Sequence, residues 1–240
     1  MTVNIRIVLV NTTHPGNIGS TARAMKTMGL HRLYLVSPKF FPNQIANELA
    51  AGADDILAQA VVTHSLVAAL HDCQLIFATS ARPREINLPG LTPAAAAVLT
   101  TEFAVHIEIA FVFGREHAGL TNAELLLCHY HVVIPSVPNF SSLNLAQAVQ
   151  IISYELRLKH VSPVVQTAMR AAKLATIEDL ERFYAHLRQV LIELDFFDPS
   201  NPKRLLERLH RMFNRIQLED LDVQILRGIL TQIQRKTDRE

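Results

Sequence analysis

The chain has 240 residues, 49% of them apolar and 19% charged, with 23 Lys+Arg against 22 Asp+Glu. That length suits one large domain, or one domain and a smaller second one, and the near-neutral balance excludes a uniformly basic nucleic-acid binder while allowing a local basic patch. Two cysteines, Cys73 and Cys128, give no disulfide framework or cysteine-rich zinc site; with no bilayer-length apolar run and no signal-peptide pattern, a reducing cytoplasm is expected.

Over residues 1–160, short apolar runs alternate with helical patterns. Strands are predicted at 5–10, 32–36, 74–80, 107–113 and 131–135, and helices at 18–28, 43–51, 64–71, 93–99, 121–128 and 143–158. Thr121 and Glu124 spell a capping box for the fifth helix. This alternation predicts an α/β fold with a mostly parallel sheet covered on both faces. Ligands of such sheets sit at the carboxyl ends of the strands. Four of those ends carry Gly, Ser, Asn, Arg or Glu: NTTHPGNIGS, ARPRE, GREHAGLTN and SVPNFSSLN.

Charge thickens towards the end of the chain, with 20 charged side chains in the first 160 residues and 25 in the last 80. A first domain over 1–160, a linker over 161–175 containing Pro163, and a helical extension over 176–240 follow. Leu180, Phe183, Tyr184, Leu187, Leu191 and Leu194 mark one amphipathic helix. Asn201-Pro202 reads as the start of a second, with Leu205, Leu209, Met212 and Ile216 as its apolar stripe. Ile225, Leu226, Ile229 and Ile233 mark a third. Arg204, Arg208, Arg211 and Arg215 recur at i, i+4, i+7 and i+11, which makes one basic face suited either to nucleic acid or merely to solvent.

Three loops carry the candidate chemistry. Gly16 and Gly19 read as a turn between strand and helix, and G-x-x-G lacks the first glycine of a dinucleotide fingerprint. Arg23, in the helix that follows, faces the presumed cleft and suits phosphate or ribose. Gly114 either lets a ligand approach the backbone or simply makes a turn, and Glu116 bonds within its loop or to substrate. Ser141 and Ser142 precede a helix that Asn144 begins; one of the pair is expected to be a cap, leaving a spare hydroxyl. His129 and His131 share a strand face with Cys128 beside them but lack a fourth ligand, so no metal is expected.

Together, N-x-G-S-x-x-R-A-M-K, F-G-R-E-x-x-G-L-T-N-x-E and I-P-x-x-P-x-F-S-S-L-N-L-A-x-A-V resemble the three motifs of the knotted SPOUT RNA methyltransferases, and among them the TrmH-type 2′-O-methyltransferases. The resemblance covers about residues 1–160. It implies a deep C-terminal trefoil knot, a homodimer, and S-adenosylmethionine as methyl donor. The donor site it implies is Thr79, Ser80, Ala81, Gly114, Ile134, Ser141, Ser142 and Leu143. It further implies tRNA as substrate, most closely the 2′-oxygen of nucleotide 32, a cytidine or uridine in the anticodon loop. Ribosomal RNA, another tRNA position, and a non-catalytic RNA-binding relative remain as alternatives. RNA would meet Asn17, Arg23, Arg82, Arg84, Glu116 and Asn144, with the basic face Arg204, Arg208, Arg211 and Arg215 beyond them. The family gives the base role to the arginine matching Arg23. A guanidinium stays protonated in proteins, so Arg23 is expected to position and polarise the ribose oxygen, with Ser142 hydrogen-bonding nearby.

Overall fold

A computed structural model of the chain describes residues 4–80, 86, 88–103, 107–137, 140–161 and 173–237. The chain divides into two compact units, Met1–Ala171 and Ala172–Glu240. The first unit begins with β1 (Ile5–Val10), α1 (Pro15–Met28), β2 (Arg32–Val36), α2 (Gln44–Ala50), α3 (Asp54–Ala58), β3 (Val61–Thr63) and α4 (Leu66–Leu70). It continues with β4 (Leu75–Thr79), β5 (Gly90–Leu91), α5 (Pro93–Thr101), β6 (Ile109–Phe113), α6 (Asn122–Leu125), β7 (Tyr130–Val132) and α7 (Leu145–Val161).

The seven strands form one sheet in the order β3-β2-β1-β6-β4-β7-β5, and every neighbouring pair is parallel. Strands β1, β4 and β6 are buried along their whole length, as a sheet covered on both faces requires. Leu9 and Thr79 both pair with Phe113, so the carboxyl ends of β1, β6 and β4 are level. Consecutive strands β1 and β2 run outward from β6 on one side, and β4 lies on the other. The loops after β1 and β6 therefore meet where the strand order reverses, the usual place for a ligand crevice.

At the opposite end of the sheet, Arg6 is 1% exposed. Its guanidinium donates to both Asp72 oxygens (2.8 and 2.7 Å), to Glu108 (2.6 Å) and to the Ala69 carbonyl (2.9 Å). A buried cation held by two carboxylates and a carbonyl through its terminal nitrogens, with Nε left unpartnered, closes the sheet's lower end. Cys73 beside it is a free thiol that burial pushes up to about 12, which leaves it inert.

Local sequence explains most element ends. The capping box of Thr121 and Glu124 is present in both directions. Helix α1, however, starts at Pro15 rather than 18, because the His14 ring accepts the Gly16 N–H at 3.1 Å and proline occupies the first helical position. Gly16 and Gly19 are thus helical and make no turn. A Cβ on Gly19 would lie 2.0 Å from the Ala46 carbonyl oxygen, so this glycine lets α1 press against α2. The sequence reading missed α3, β3 and β5. Val61 and Val62 of β3 are exposed on the sheet's edge and show no alternation.

The second unit contains α8 (Ile177–Glu193), α9 (Leu205–Ile216) and α10 (Asp220–Thr237). Phe183 meets Phe213 edge-on, Tyr184 stacks on His210 at 3.7 Å, and the Tyr184 hydroxyl donates to Asn214 Oδ1 at 2.6 Å. Two expectations are corrected here. Asn201-Pro202 opens no helix: Lys203 sits at φ 45° and α9 begins at Leu205, with Arg204 at its N-cap. The apolar stripe was also misplaced, since Met212, Ile216, Ile225 and Ile229 are all more than half exposed. The inner face of α9 is His210, Phe213 and Asn214, of which the polar His210 and Asn214 turn inward because Tyr184 partners them.

Candidate active site

One carboxylate ties the rim together. Glu116, after β6, accepts the backbone N–H of Thr13 (3.1 and 3.2 Å) and of His14 (3.1 Å). It also accepts the Thr13 hydroxyl (3.0 Å) and Asn17 Nδ2 (3.0 Å). Asn17 in turn accepts Asn144 Nδ2 at 2.9 Å, while Asn144 Oδ1 caps α7 by taking the Ala146 N–H at 2.9 Å. Three loops far apart in sequence are locked by one carboxylate and two amides. Asn144, and not either serine, is the cap.

Burial raises the Glu116 pKa, but the hydrogen bonds from Asn17 and from the backbone of the loops outweigh it and hold the group below its ordinary value. An ionised carboxylate already engaged by four donor groups orients its loops and is a poor proton acceptor. Arg115 does not pair with its neighbour Glu116. It makes a two-pronged bond to Glu124 (2.9 and 3.0 Å) and reaches Asn11. Gly114 is required by this hairpin, because a Cβ there would lie 2.1 Å from the Gly119 carbonyl carbon.

Behind the rim lies a cavity with about 750 Å³ of non-atom space, part of it open to solvent. Thr79, Ser80, Gly114, Ile134, Ser141, Ser142 and Leu143 all line it, together with Phe113, Arg115, Glu116, His117, Gly119, Val132, Leu145 and Ala148. Ala81, Arg82 and Arg84 lie outside the described residues. The Thr79 hydroxyl is committed to the Val112 carbonyl at 2.9 Å, so that residue offers the cavity mainly its backbone and methyl. A second groove adjoins, lined by Thr13, His14, Asn17, Glu116, His117, Ser142, Leu143, Asn144 and Leu145. Ser142 and Leu143 border both spaces and stand at their junction.

Two family descriptions match the chain: the SpoU rRNA Methylase family over residues 4–154, and the C-terminal domain of tRNA methyltransferase TrmJ over 178–240. A tRNA (cytidine/uridine-2′-O-)-methyltransferase TrmJ from Pectobacterium atrosepticum is 48% identical over 237 residues, covering 98% of both chains. The chain belongs to the TrmJ methyltransferases of the SpoU family. A tRNA (cytidine/uridine/adenosine-2′-O-)-methyltransferase TrmJ from Pseudomonas aeruginosa is 47% identical, covering 96% of this chain and 94% of that one. The crystal structure of TrmJ from Zymomonas mobilis ("Z. mobilis ZM4") superimposes with a TM-score of 0.84 at 32% identity, covering 95% of this chain and 98% of that one.

For a SpoU-family methyltransferase, the placement of Arg23 is the main surprise. It stands in the third turn of α1, exposed, beside the exposed Lys26 and Thr27. It lines neither cavity nor groove and makes no hydrogen bond or ion pair among the described residues. The expectation that it points into its own chain's cleft is not met, because Ile18, Thr21, Ala22 and Met25 form the buried face of α1 and Arg23 lies on the solvent side with Lys26 and Thr27. On α9, Arg208 and Arg215 are exposed, Arg211 is half-buried, and Arg204 lies 3.9 Å from Glu207. The histidines after α6 are structural: His129 Nδ1 accepts the Ile76 N–H at 3.0 Å and burial pushes its pKa to about 4. His131 pairs with the Ser80 carbonyl at 3.2 Å. Thr13, Arg115, His117 and Leu145 escaped the sequence reading, since Arg115 finds its partner nine residues away and not next door.

Proposed function

We propose that this protein transfers the methyl group of S-adenosylmethionine to the 2′-oxygen of a tRNA ribose, at cytidine or uridine 32, working as a cytoplasmic homodimer. The observation that carries this reading is the junction at Ser142 and Leu143, where a part-open cavity meets a polar groove beside a clamp of Asn17, Glu116 and Asn144. The cavity suits the donor. Val132, Ile134, Leu143 and Leu145 supply apolar wall for a nucleoside, and loop backbone at Gly114 and Ser80 supplies polar edges. Its electrostatics suit a sulfonium, since Arg115 is neutralised by Glu124 while Glu116 stays ionised.

S-adenosylmethionine, when bound, supplies an activated methyl group. The protein's own residues hold the ribose in line, and the proton released from the 2′-hydroxyl leaves to water in the open groove. Ser142, which lines the groove, hydrogen-bonds the 2′-oxygen in this reading, and Asn17 and Asn144 fix the groove wall. Glu116 orients this wall and takes no proton. Arg23 positions and polarises the ribose oxygen from the partner chain: Ile151, Tyr154 and Leu158 leave an apolar stripe on α7, whose Tyr154 and Leu158 are 48% and 43% exposed, and α7 packs on α1. A two-fold contact through these helices carries Arg23 to a neighbouring cavity. Arg204, Arg208, Arg211 and Arg215 supply phosphate contacts. The TrmJ names of the relatives support tRNA and the cytidine/uridine preference.

The test is transfer of labelled methyl from S-adenosylmethionine to unmodified tRNA transcripts carrying C, U or A at nucleotide 32, a 2′-deoxy version of the C transcript, and a ribosomal RNA fragment. Label should enter the C and U transcripts and be absent from the deoxy version. Labelling of the deoxy transcript, or of no tRNA at all, overturns the reading.

A further inference from the structure

The loop between β2 and α2, SPKFFPN over residues 37–43, takes no part in the site described so far. Its backbone is fastened to the rim. Asn11 N–H donates to the Val36 carbonyl at 2.8 Å, and Lys39 N–H donates to the Thr12 carbonyl at 3.0 Å. Ser37 sits in the left-handed region at φ 44°, held by its N–H on the Thr63 carbonyl (2.9 Å) and its hydroxyl on the His64 carbonyl (3.1 Å). A non-glycine residue keeps that conformation only where its surroundings impose it. The loop is therefore preorganised beside Thr13 and His14, which wall the groove.

At the tip of this loop, Phe40 is 50% exposed, and the Lys39 ammonium stands 5.3 Å from its ring centre. An aromatic ring left half in water, topped by a cation and anchored to a substrate groove, has the make-up of a nucleic-acid stacking platform. Lysine at the heart of the patch argues against a protein partner, because protein interfaces are depleted in it. A duplex base already has both faces covered, so only an unpaired nucleotide can use the ring.

We infer that Lys39 and Phe40 are a docking platform for the substrate RNA: an unpaired base flanking the methylated nucleotide stacks on Phe40, and the Lys39 ammonium meets an adjacent phosphate. This inference rests on the tRNA reading above. The test compares Phe40→Ala, Phe40→Trp and Lys39→Gln with the wild type in the full chain. Phe40→Ala should raise the KM for tRNA about tenfold while kcat stays within about twofold, and Phe40→Trp should keep a near-normal KM. Lys39→Gln should lower the salt slope of tRNA binding by about one. Affinity for S-adenosylmethionine, measured by calorimetry, should not move in any of them.

An unchanged KM in Phe40→Ala overturns the platform. So does a change in its sedimentation coefficient, which would make the patch a contact between copies of the chain. If the wild type methylates no tRNA, the functional reading falls separately. Anisotropy with a fluorescent single-stranded oligonucleotide then decides the platform alone: weaker binding by Phe40→Ala keeps it, and equal binding removes it.

Discussion

At the rim of the parallel sheet, polar side chains satisfy one another: Glu116, Asn17, Asn144, Arg115 and Glu124 each meet a named partner at 2.9–3.2 Å. On α9, Arg208 and Arg215 face solvent, and Arg204 lies 3.9 Å from Glu207. The contrast separates two demands on charge. In-line transfer to a ribose oxygen needs atoms held to fractions of an ångström, whereas attraction to a phosphate backbone needs only cations on one face. Substitutions at the rim should therefore act on turnover and order, and substitutions on α9 on affinity and its salt dependence.

The largest effect is expected from Arg23, the residue whose position fits neither pattern. Arg23→Ala should reduce single-turnover methyl transfer about a thousandfold at saturating tRNA and donor, with S-adenosylmethionine affinity almost unchanged. Arg23→Lys should restore little, because a point charge does not reproduce the planar fork. Mixing Arg23→Ala chains with Ser142→Ala chains should recover activity, since mixed dimers then hold one intact composite site. Absence of any recovery places Arg23 in its own chain's site and removes the two-fold argument.

Glu116→Gln comes next. It turns an acceptor of four donor groups into a mixed group facing Asn17, and should cost about 1–3 kcal/mol of stability while lowering transfer about tenfold or more. The pH dependence has a definite sign. Glu116 titrates below its ordinary 4.5 in the folded protein, so its contribution is complete above about pH 4.5 and disappears as pH falls through the folded value. Acid unfolding of Glu116→Gln should lack that component. Matching acid profiles in variant and wild type would show that the clamp is not held by this carboxylate.

Replacing Arg204, Arg208, Arg211 and Arg215 by Gln should weaken tRNA binding about tenfold at moderate salt and flatten its salt dependence, with the sheet unit's melting unaffected. Equal slopes would reduce the basic face to a soluble surface. The smallest effect lies inside the helical unit. Burial pushes His210 to about 4, so the unfolded chain binds more protons than the folded one between about 4 and 6.5. Stability should fall as pH drops through that window. Amide protection factors over residues 177–216 of the full chain, corrected for the pH dependence of intrinsic exchange, should fall between pH 7 and 5, and His210→Phe should remove the fall.

Legibility in the sequence followed the same division. Strands 5–10 and 32–36 stand where the apolar runs placed them, because β1 and β2 are continuous and largely buried. The start of α1 was misread because His14-Pro15-Gly16 looks like a turn until the His14 ring is seen capping the helix. The stripe of α9 was misread because Asn214 and His210 are polar, and only the Tyr184 contacts make them interior. Motif residues 79, 80, 114, 134 and 141–143 could be quoted from resemblance, but that they share one cavity depends on strand order, which brings β4, β6 and β7 together. The knot belongs to the complete chain path, which the described segments do not span. Lys39 and Phe40 gave no signal at all, because their interest comes from a backbone bond to Thr12.

The most direct measurement is nucleotide-resolved mass spectrometry of tRNA after a single turnover with the purified protein. The expected result is one methyl group on the ribose of nucleotide 32, resistant to alkaline cleavage on its 3′ side, with Ser142→Ala strongly impaired. A methyl group on a base, or on the ribose of a different nucleotide, would contradict the assignment of the Ser142 junction to 2′-oxygen transfer at position 32.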